Sequence, residues 1–117
     1  MIDQRFEKSK HIFSFYKGTK NQLELIDNKQ YWGCDGGYPT TEYKSLEVYI
    51  KEKKILLSNE ALENLYQPNL FNTEVNYDKV NDILYFQSSN SDGAGGYNVI
   101  WKIEKGIYKF RYVTYGF

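Results

Sequence analysis

The most reactive side chains in this sequence are a single histidine and a single cysteine, His11 and Cys34. A thiol becomes a nucleophile when a neighbouring base removes its proton. The two residues fall on separate candidate strands, so a Cys34–His11 pair is a hypothesis that no motif supports. A buried, unreactive cysteine is the commoner situation. A zinc site needs several Cys or His ligands, and we therefore predict no metal and no other cofactor.

Two aspartates in glycine-rich loops form the other candidate catalytic pair. Asp35 lies in "CDGGYP" (residues 34–39) and Asp92 in "SDGAGGY" (residues 91–97). Two carboxylates within reach of each other can perform acid–base chemistry on a glycan. Aspartate is also frequent in turns, because its side chain accepts hydrogen bonds from the turn backbone. We therefore predict no catalytic residues, and the chain is not predicted to be an enzyme.

The segment "SSNSDGAGGYNVIW" (residues 88–101) raises the question of what requires so many small residues. A phosphate-binding loop needs a Lys–Ser or Lys–Thr step followed by a helix, and here a strand pattern follows. Aligned on Gly93 as a calcium loop, the segment places Ser88 at the first ligand position and Val99 where a bidentate glutamate belongs. The segment therefore fits neither a phosphate-binding loop nor a calcium-binding loop.

Two interpretations of this segment remain open. It is either a structural loop, whose glycines adopt positive φ and let the chain pass from one strand to the next, or a loop that contacts a partner. In the second interpretation Asp92 accepts hydrogen bonds and Tyr97 offers flat apolar area.

Aromatic residues make up 18% of the chain, and twelve of them are tyrosines. A small core cannot hide so many hydroxyl groups, each of which needs a hydrogen-bond partner or water. Exposed tyrosines beside charged residues are typical of protein-binding surfaces and equally of surfaces that stack on sugars or bases. The predicted partner-binding residues are therefore Trp32, Asp35, Tyr38, Asp92 and Tyr97.

Charge is unevenly distributed, although basic and acidic residues balance at fifteen each. The charged residues within 58–82 are mostly acidic, and those of the final hairpin at residues 102–111 are mostly basic. A protein partner could recognise such a dipolar pattern, although solvated faces are its commoner origin. Glu60, Glu63 and Glu74 form a rival partner-binding face, which a partner with a basic cleft would favour.

Alternation of apolar and polar residues indicates that β-hairpins carry most of these side chains. Three hairpins are predicted, over residues 11–26 with a turn at 18–21, over residues 46–57, and over residues 97–112. In the last hairpin two sets of side chains are predicted to lie on the same face of the sheet. They are Tyr97, Val99, Trp101 and Ile103 on one strand, and Tyr108, Phe110 and Tyr112 on the other. Residues 82–88 are apolar enough to predict a strand buried on both faces.

One short helix is predicted over residues 60–66. Ser58 or Asn59 can cap its first turn, Leu62 and Leu65 lie one turn apart, and Pro68 ends it. The complete set of elements predicts an α+β fold, mainly antiparallel β-sheet built from hairpins with one short helix. The length predicts a single domain over residues 1–117.

The composition also bounds the cellular context. Residues 1–8 lack the apolar segment of a secretory signal, and no apolar run approaches the length of a membrane span. One cysteine excludes an internal disulfide. We therefore predict a cytoplasmic protein without membrane contact, and the zero net charge argues against direct nucleic-acid binding.

The closing segment "NDILYFQSSNSDGAGGYNVIWKIEKGIYKFRYVTYGF" (residues 81–117) resembles small bacterial immunity proteins of contact-dependent growth inhibition and other polymorphic-toxin systems. The Lys- and Asn-rich composition is also similar to theirs. The resemblance implies that the chain binds a cognate toxin, which could be a nuclease, and occludes its active site. A neutral chain favours complementary shape and charge over DNA mimicry. The alternative function is a small aromatic-rich module that binds a glycan or another ligand.

Overall fold

Ten β-strands and four single-turn 3₁₀ helices form the fold in the computed structural model, which describes residues 1–19 and 22–116. The turn predicted over residues 18–21 therefore lies partly outside the described residues. The strands are β1 (Ile2–Arg5), β2 (Phe13–Phe15), β3 (Leu23–Ile26), β4 (Thr41–Ser45), β5 (Val48–Ile50), β6 (Lys53–Ile55), β7 (Thr73–Asp78), β8 (Ile83–Asn90), β9 (Tyr97–Glu104) and β10 (Ile107–Tyr115). The 3₁₀ helices are Lys8–Lys10, Asn59–Ala61, Leu70–Asn72 and Gly93–Gly95.

The largest element is a four-stranded antiparallel sheet with the order β10-β9-β8-β7. Its inner face contributes most of the buried residues of the larger of two apolar clusters, because alternate residues of β8 and β9 are buried. The side chains predicted to share one face of β9, from Tyr97 to Ile103, are all buried, which confirms that prediction. Trp101 stacks on Phe86 with ring centroids 4.7 Å apart, and its indole N–H donates to the carbonyl oxygen of Ala61.

Two predictions about strand faces in this sheet are wrong. Strand β8 is buried on one face only, since Tyr85 and Gln87 are exposed while their neighbours are buried. In β10 a bulge interrupts the register between Tyr108 and Phe110. A bulge adds one residue to one strand, so every side chain beyond it changes face. Tyr108 therefore packs against the core, whereas Phe110 and Tyr112 are exposed.

The remaining strands form three two-stranded sheets. The predicted pairings of β2 with β3 and of β5 with β6 are confirmed. Strand β1 pairs with β4, whereas the polar residues 1–10 had predicted a lead-in or a short helix. All four residues of β1 are exposed, so the strand carries no apolar period that could have revealed it.

The α+β prediction is confirmed in its main feature, antiparallel sheet, but the helix predicted over residues 60–66 is a single 3₁₀ turn, Asn59–Ala61. The backbone leaves helical geometry at Asn64, which has a φ of 59°. Leu65 and Tyr66 then form β-bridges to Trp32 and Glu42. Long-range pairing therefore overrides the local i, i+3 pattern.

Two apolar clusters form the core, and they meet at adjacent residues. Leu65 belongs to the larger cluster on the four-stranded sheet, and Tyr66 belongs to a smaller cluster with Phe6, Leu23 and Ile26. The Tyr97 hydroxyl donates a 2.7 Å hydrogen bond to the carbonyl oxygen of Tyr66 and links the two. Within the described ranges, no helix has the length and hydropathy needed to cross a bilayer.

Candidate functional site

The two glycine-rich loops of the sequence lie against each other in the structure. We call residues 33–39 the first loop and residues 91–96 the second loop. The Ser91 hydroxyl donates a 2.7 Å hydrogen bond to the carbonyl oxygen of Gly33. A Cβ atom on Gly95 would lie 2.9 Å from that same oxygen. The second loop therefore connects β8 to β9 and also packs against the first, so it is an inter-strand loop with a tertiary contact.

Three glycines at this junction have identifiable structural reasons. Gly33 has a φ of +114°, and a Cβ atom there would lie 2.4 Å from the carbonyl oxygen of Tyr66. Positive φ in the second loop occurs at Ser91 and Gly93, whereas Gly96 has a φ of −65°. Gly95 is thus required by the close approach of two backbones rather than by its own φ.

A cleft of about 480 Å³ opens where the two loops meet β3. This volume lies within the range of small-ligand sites. Its walls combine aromatic rings, side-chain amides, carboxylates and glycine backbone, contributed mainly by Tyr16, Gln22, Glu24, Gln30, Tyr31, Trp32, Asp35, Gly36, Gly95 and Tyr115. The cleft therefore joins segments from both ends of the chain into one concave surface.

Tyr31 shows the electrostatic character of this cleft. Burial raises the pKa of the Tyr31 phenol, and the neighbouring acidic groups of Cys34, Tyr16 and Asp35 raise it further. The Tyr31 hydroxyl donates a 2.9 Å hydrogen bond to the carbonyl oxygen of Leu23. Loss of hydration is thus the main reason that ionisation of this phenol is disfavoured.

The predicted site residues separate into groups. Trp32 and Asp35 line the cleft. Tyr38, from the first loop, packs edge-on against Phe13, and the Lys8 ammonium lies 3.9 Å from its ring centroid. Asp92 is exposed and precedes the turn Gly93–Gly95.

The expectation that Tyr97 offers contact area is corrected by the structure. Its side chain is only 1% exposed and packs in the core. Besides donating to the Tyr66 carbonyl oxygen, its hydroxyl accepts a hydrogen bond from the buried Asn90 side chain. An inward position on β9 places this ring beneath the second loop instead of on its surface.

The three predicted acidic residues do not form one face. Glu60 accepts a hydrogen bond from the Tyr108 hydroxyl, and the carbonyl oxygen of Glu63 accepts one from Arg111, so both lie against β10. Glu74 lies on β7, at the opposite edge of the four-stranded sheet. The Lys29 ammonium also lies 2.9 Å from the Glu63 carboxylate. Glu63, one of the acidic residues behind the charge asymmetry of the sequence, thus forms an ion pair within the molecule.

The Cys34–His11 hypothesis gains no support from the geometry. The His11 ring stacks on Phe6, and its Nδ1 lies 2.7 Å from the Asp27 carboxylate. Its Nε2 lies 3.8 Å from the Glu42 carboxylate. Burial raises the pKa of the Cys34 thiol to about 11, so the thiol remains protonated at neutral pH.

The contact with His11 helps to stabilise the charged form of the Asp27 carboxyl group. Burial alone would raise the pKa of its carboxyl group, but hydrogen bonds from His11 and from the amide of Ile12 hold that pKa below its usual range. Both imidazole nitrogens of His11 thus face carboxylates, Asp27 on one side and Glu42 on the other. Within residues 1–19 and 22–116, no group of three or more His, Cys, Asp and Glu side chains is placed to hold a metal ion.

Sequence reasoning missed several cleft residues, chiefly Tyr16, Glu24, Tyr31 and Tyr115. No local motif distinguishes them, because they come from four separate segments that tertiary contacts bring together. A second groove of about 650 Å³ lies between β5 and strands β7 and β8, and its walls are mainly apolar. That groove contains none of the predicted site residues.

Comparison with known proteins adds no family to this geometry. No protein-family model matches the chain, and neither a curated protein nor a solved structure is significantly similar to it.

Proposed function

We propose that this chain is a stoichiometric inhibitor that acts in the cytoplasm, an immunity-type protein that binds a cognate bacterial toxin domain and covers its active site. One observation carries the proposal. Two glycine-rich loops, 58 residues apart at the Ser91–Gly33 hydrogen bond, converge on a single cleft with an aromatic rim. Partner-binding residues are commonly carried by loops that a rigid scaffold positions.

The rim has the residue composition that such an interface requires. Tyr16 and Tyr115 line the cleft and are exposed, and Trp32 is half-buried in the cleft wall. Tyr38 is also exposed, on the first loop outside the cleft lining. Tyrosine and tryptophan provide large contact area with few rotatable bonds and dominate binding free energies in protein interfaces. A stable complex centred here would bury a total of about 1,200–2,000 Å².

The state of the reactive side chains favours binding over catalysis. The Cys34 thiol has its pKa raised to about 11, and both nitrogens of His11 face carboxylates. The mechanism is therefore steric and electrostatic: the rim seals around the toxin's active-site mouth and excludes substrate. The resemblance of residues 81–117 to immunity proteins gives the class of partner.

Co-expression with the toxin-like product of the neighbouring gene tests this proposal. We expect a one-to-one complex by size-exclusion chromatography with light scattering, and loss of toxin activity at equimolar ratio. The variant Trp32→Ala should weaken the complex by at least tenfold, whereas Glu74→Gln, at the far sheet edge, should not. A complex weakened by Glu74→Gln but not by Trp32→Ala would move the interface to β7. No complex with any neighbouring gene product would overturn the proposal.

The cleft volume favours a second candidate function, a module that binds a glycan. Aromatic rings beside the amides of Gln22 and Gln30 are suited to stacking on a sugar and bonding its hydroxyl groups. Retention on a glycan array, lost in Trp32→Ala, would support this function, and no retention on the array would exclude it.

A further inference from the structure

The charged side chains that line the cleft have one sign. Among the described lining residues these are Glu24 and Asp35, both carboxylates. Within the same described part of the chain, neither forms an ion pair. Burial is the main cause that raises the pKa of Tyr31, and the Asp35 carboxylate raises it further.

Aromatic rings share the cleft walls with these two exposed carboxylates. Tyr16, Tyr31, Trp32 and Tyr115 contribute to the walls, and the Trp32 and Tyr115 ring centroids are 5.0 Å apart at an angle of 56°. The face of an aromatic ring attracts a cation through its quadrupole, most strongly for tryptophan. Carboxylates beside such rings provide charge-assisted hydrogen-bond acceptors for the same cation.

We propose that the cleft binds a guanidinium or ammonium group, inserted as an arginine or lysine side chain by the protein partner. The cation lies against the Trp32 ring, and the Asp35 and Glu24 carboxylates accept its N–H bonds. An arginine fits both features, since its planar guanidinium stacks on rings and pairs with carboxylates in a fixed geometry. The identification of the partner as the source rests on the proposed function, whereas the cation site itself does not.

The alternative source of this chemistry is a free small organic cation, and two probes separate charge from shape. Butylguanidine carries the cation, and butylurea is its neutral analogue of nearly the same shape. Each is titrated into the isotope-labelled protein, and chemical shifts of the Trp32 indole and of the Gly33, Gly36 and Gly95 amides are followed. We expect butylguanidine to shift these signals at concentrations at least tenfold lower than butylurea.

Charge-neutralising variants identify the acceptors. The double variant Glu24→Gln/Asp35→Asn keeps side-chain size and should weaken butylguanidine binding at least fivefold. The control Glu52→Gln removes one carboxylate from the turn between β5 and β6, where Glu52 is exposed, and should leave binding unchanged. Equal binding of the two probes, or unchanged butylguanidine binding in the double variant, would overturn the cation site.

A second experiment, on the toxin complex, tests whether the partner supplies the cation. Its failure can be distinguished from failure of the proposed function. With the toxin complex in hand, the double variant should raise the dissociation constant at least tenfold, and an Arg→Ala or Lys→Ala scan of the toxin should identify one residue with a matching loss. If butylguanidine binds but the complex is insensitive to the double variant, the partner assignment is overturned. If no complex forms at all, the proposed function fails while the butylguanidine titration still decides the site.

Discussion

The Ser91 hydroxyl donates a 2.7 Å hydrogen bond to the carbonyl oxygen of Gly33, and this bond fastens the two glycine-rich loops at the edge of the cleft. Ser91→Ala should therefore lower the free energy of unfolding by about 1 kcal/mol, because a half-buried carbonyl loses its partner. Urea unfolding followed by circular dichroism measures this change. Ser89→Ala, two residues away, removes an exposed hydroxyl bonded to Asn98 and should cost less than about 0.5 kcal/mol. Equal losses would show that the loop contact is not stabilising.

Gly33 and Gly37 lie in the same loop but differ in their surroundings. Gly33→Ala should destabilise the fold by about 3 kcal/mol or more, since the new Cβ would meet the Tyr66 carbonyl oxygen at 2.4 Å and φ is +114°. Gly37→Ala meets no atom within 4 Å and should be neutral within about 0.5 kcal/mol. Thermal and urea unfolding of both variants compare them. A Gly33→Ala protein of wild-type stability would disprove the close backbone contact.

The bulge in β10 predicts opposite behaviour for two adjacent residues. Val113 packs against the core, whereas Tyr112 is 62% exposed. Val113→Lys should cost about 2 kcal/mol or more because it places a charge at a half-buried apolar position, and Tyr112→Lys should cost less than about 1 kcal/mol. Urea unfolding measures both variants. The reverse order would indicate a strand without the bulge, which is the arrangement that the alternating sequence predicts.

Buried tyrosines predict the alkaline limit of stability. Burial raises the pKa of the Tyr97 hydroxyl far above its ordinary value near 10, and burial likewise raises the pKa of Tyr66. Below pH 10 both phenols are protonated in the folded and the unfolded protein, so their contribution to the free energy of unfolding has its full value. As the pH rises above about 10 the unfolded state ionises first, and the free energy of unfolding declines.

Urea unfolding between pH 8 and pH 11.5 measures this slope. Tyr97→Phe lowers stability at every pH by removing a hydrogen bond, but it should flatten the decline above pH 10. Tyr112→Phe, at an exposed position, should leave the slope unchanged. An identical slope in wild type and Tyr97→Phe would refute the assigned cause.

Cys34 should react slowly with alkylating reagents. Burial raises the pKa of its thiol from 9.0 to about 11, so the thiolate population at pH 8 falls by roughly a hundredfold relative to an exposed thiol. Higher nucleophilicity of the more basic thiolate offsets part of this loss. Mass spectrometry with iodoacetamide should give a native rate at least tenfold below the rate in urea, rising until about pH 11. A native rate equal to the unfolded rate would contradict the burial of the thiol.

The sequence determined the parts of the fold that depend on local alternation. Residues 97–104 carry a large apolar residue at every second position from Tyr97 to Ile103, and β9 has the buried face that this period predicts. The β2–β3 and β5–β6 hairpins follow from the same signal. The sequence also placed Trp32 and Asp35 beside a glycine-rich loop, and both residues line the cleft.

Tertiary structure decided what local patterns could not. In the sequence the glycines of the second loop are explained by a simple turn. In the structure a side chain at Gly95 would collide with the backbone of Gly33, which comes from a distant segment. The sequence of residues 60–66 satisfies the rules for a helix. In the structure, however, Leu65 and Tyr66 form β-bridges with Trp32 and Glu42. The β10 bulge shifts one residue and thereby moves Phe110 and Tyr112 to the surface. The chain by itself thus specified its hairpins, because alternation is a property of neighbouring residues. The cleft, the loop contact and the strand faces depended on contacts between residues far apart in the chain, which no short sequence window contains.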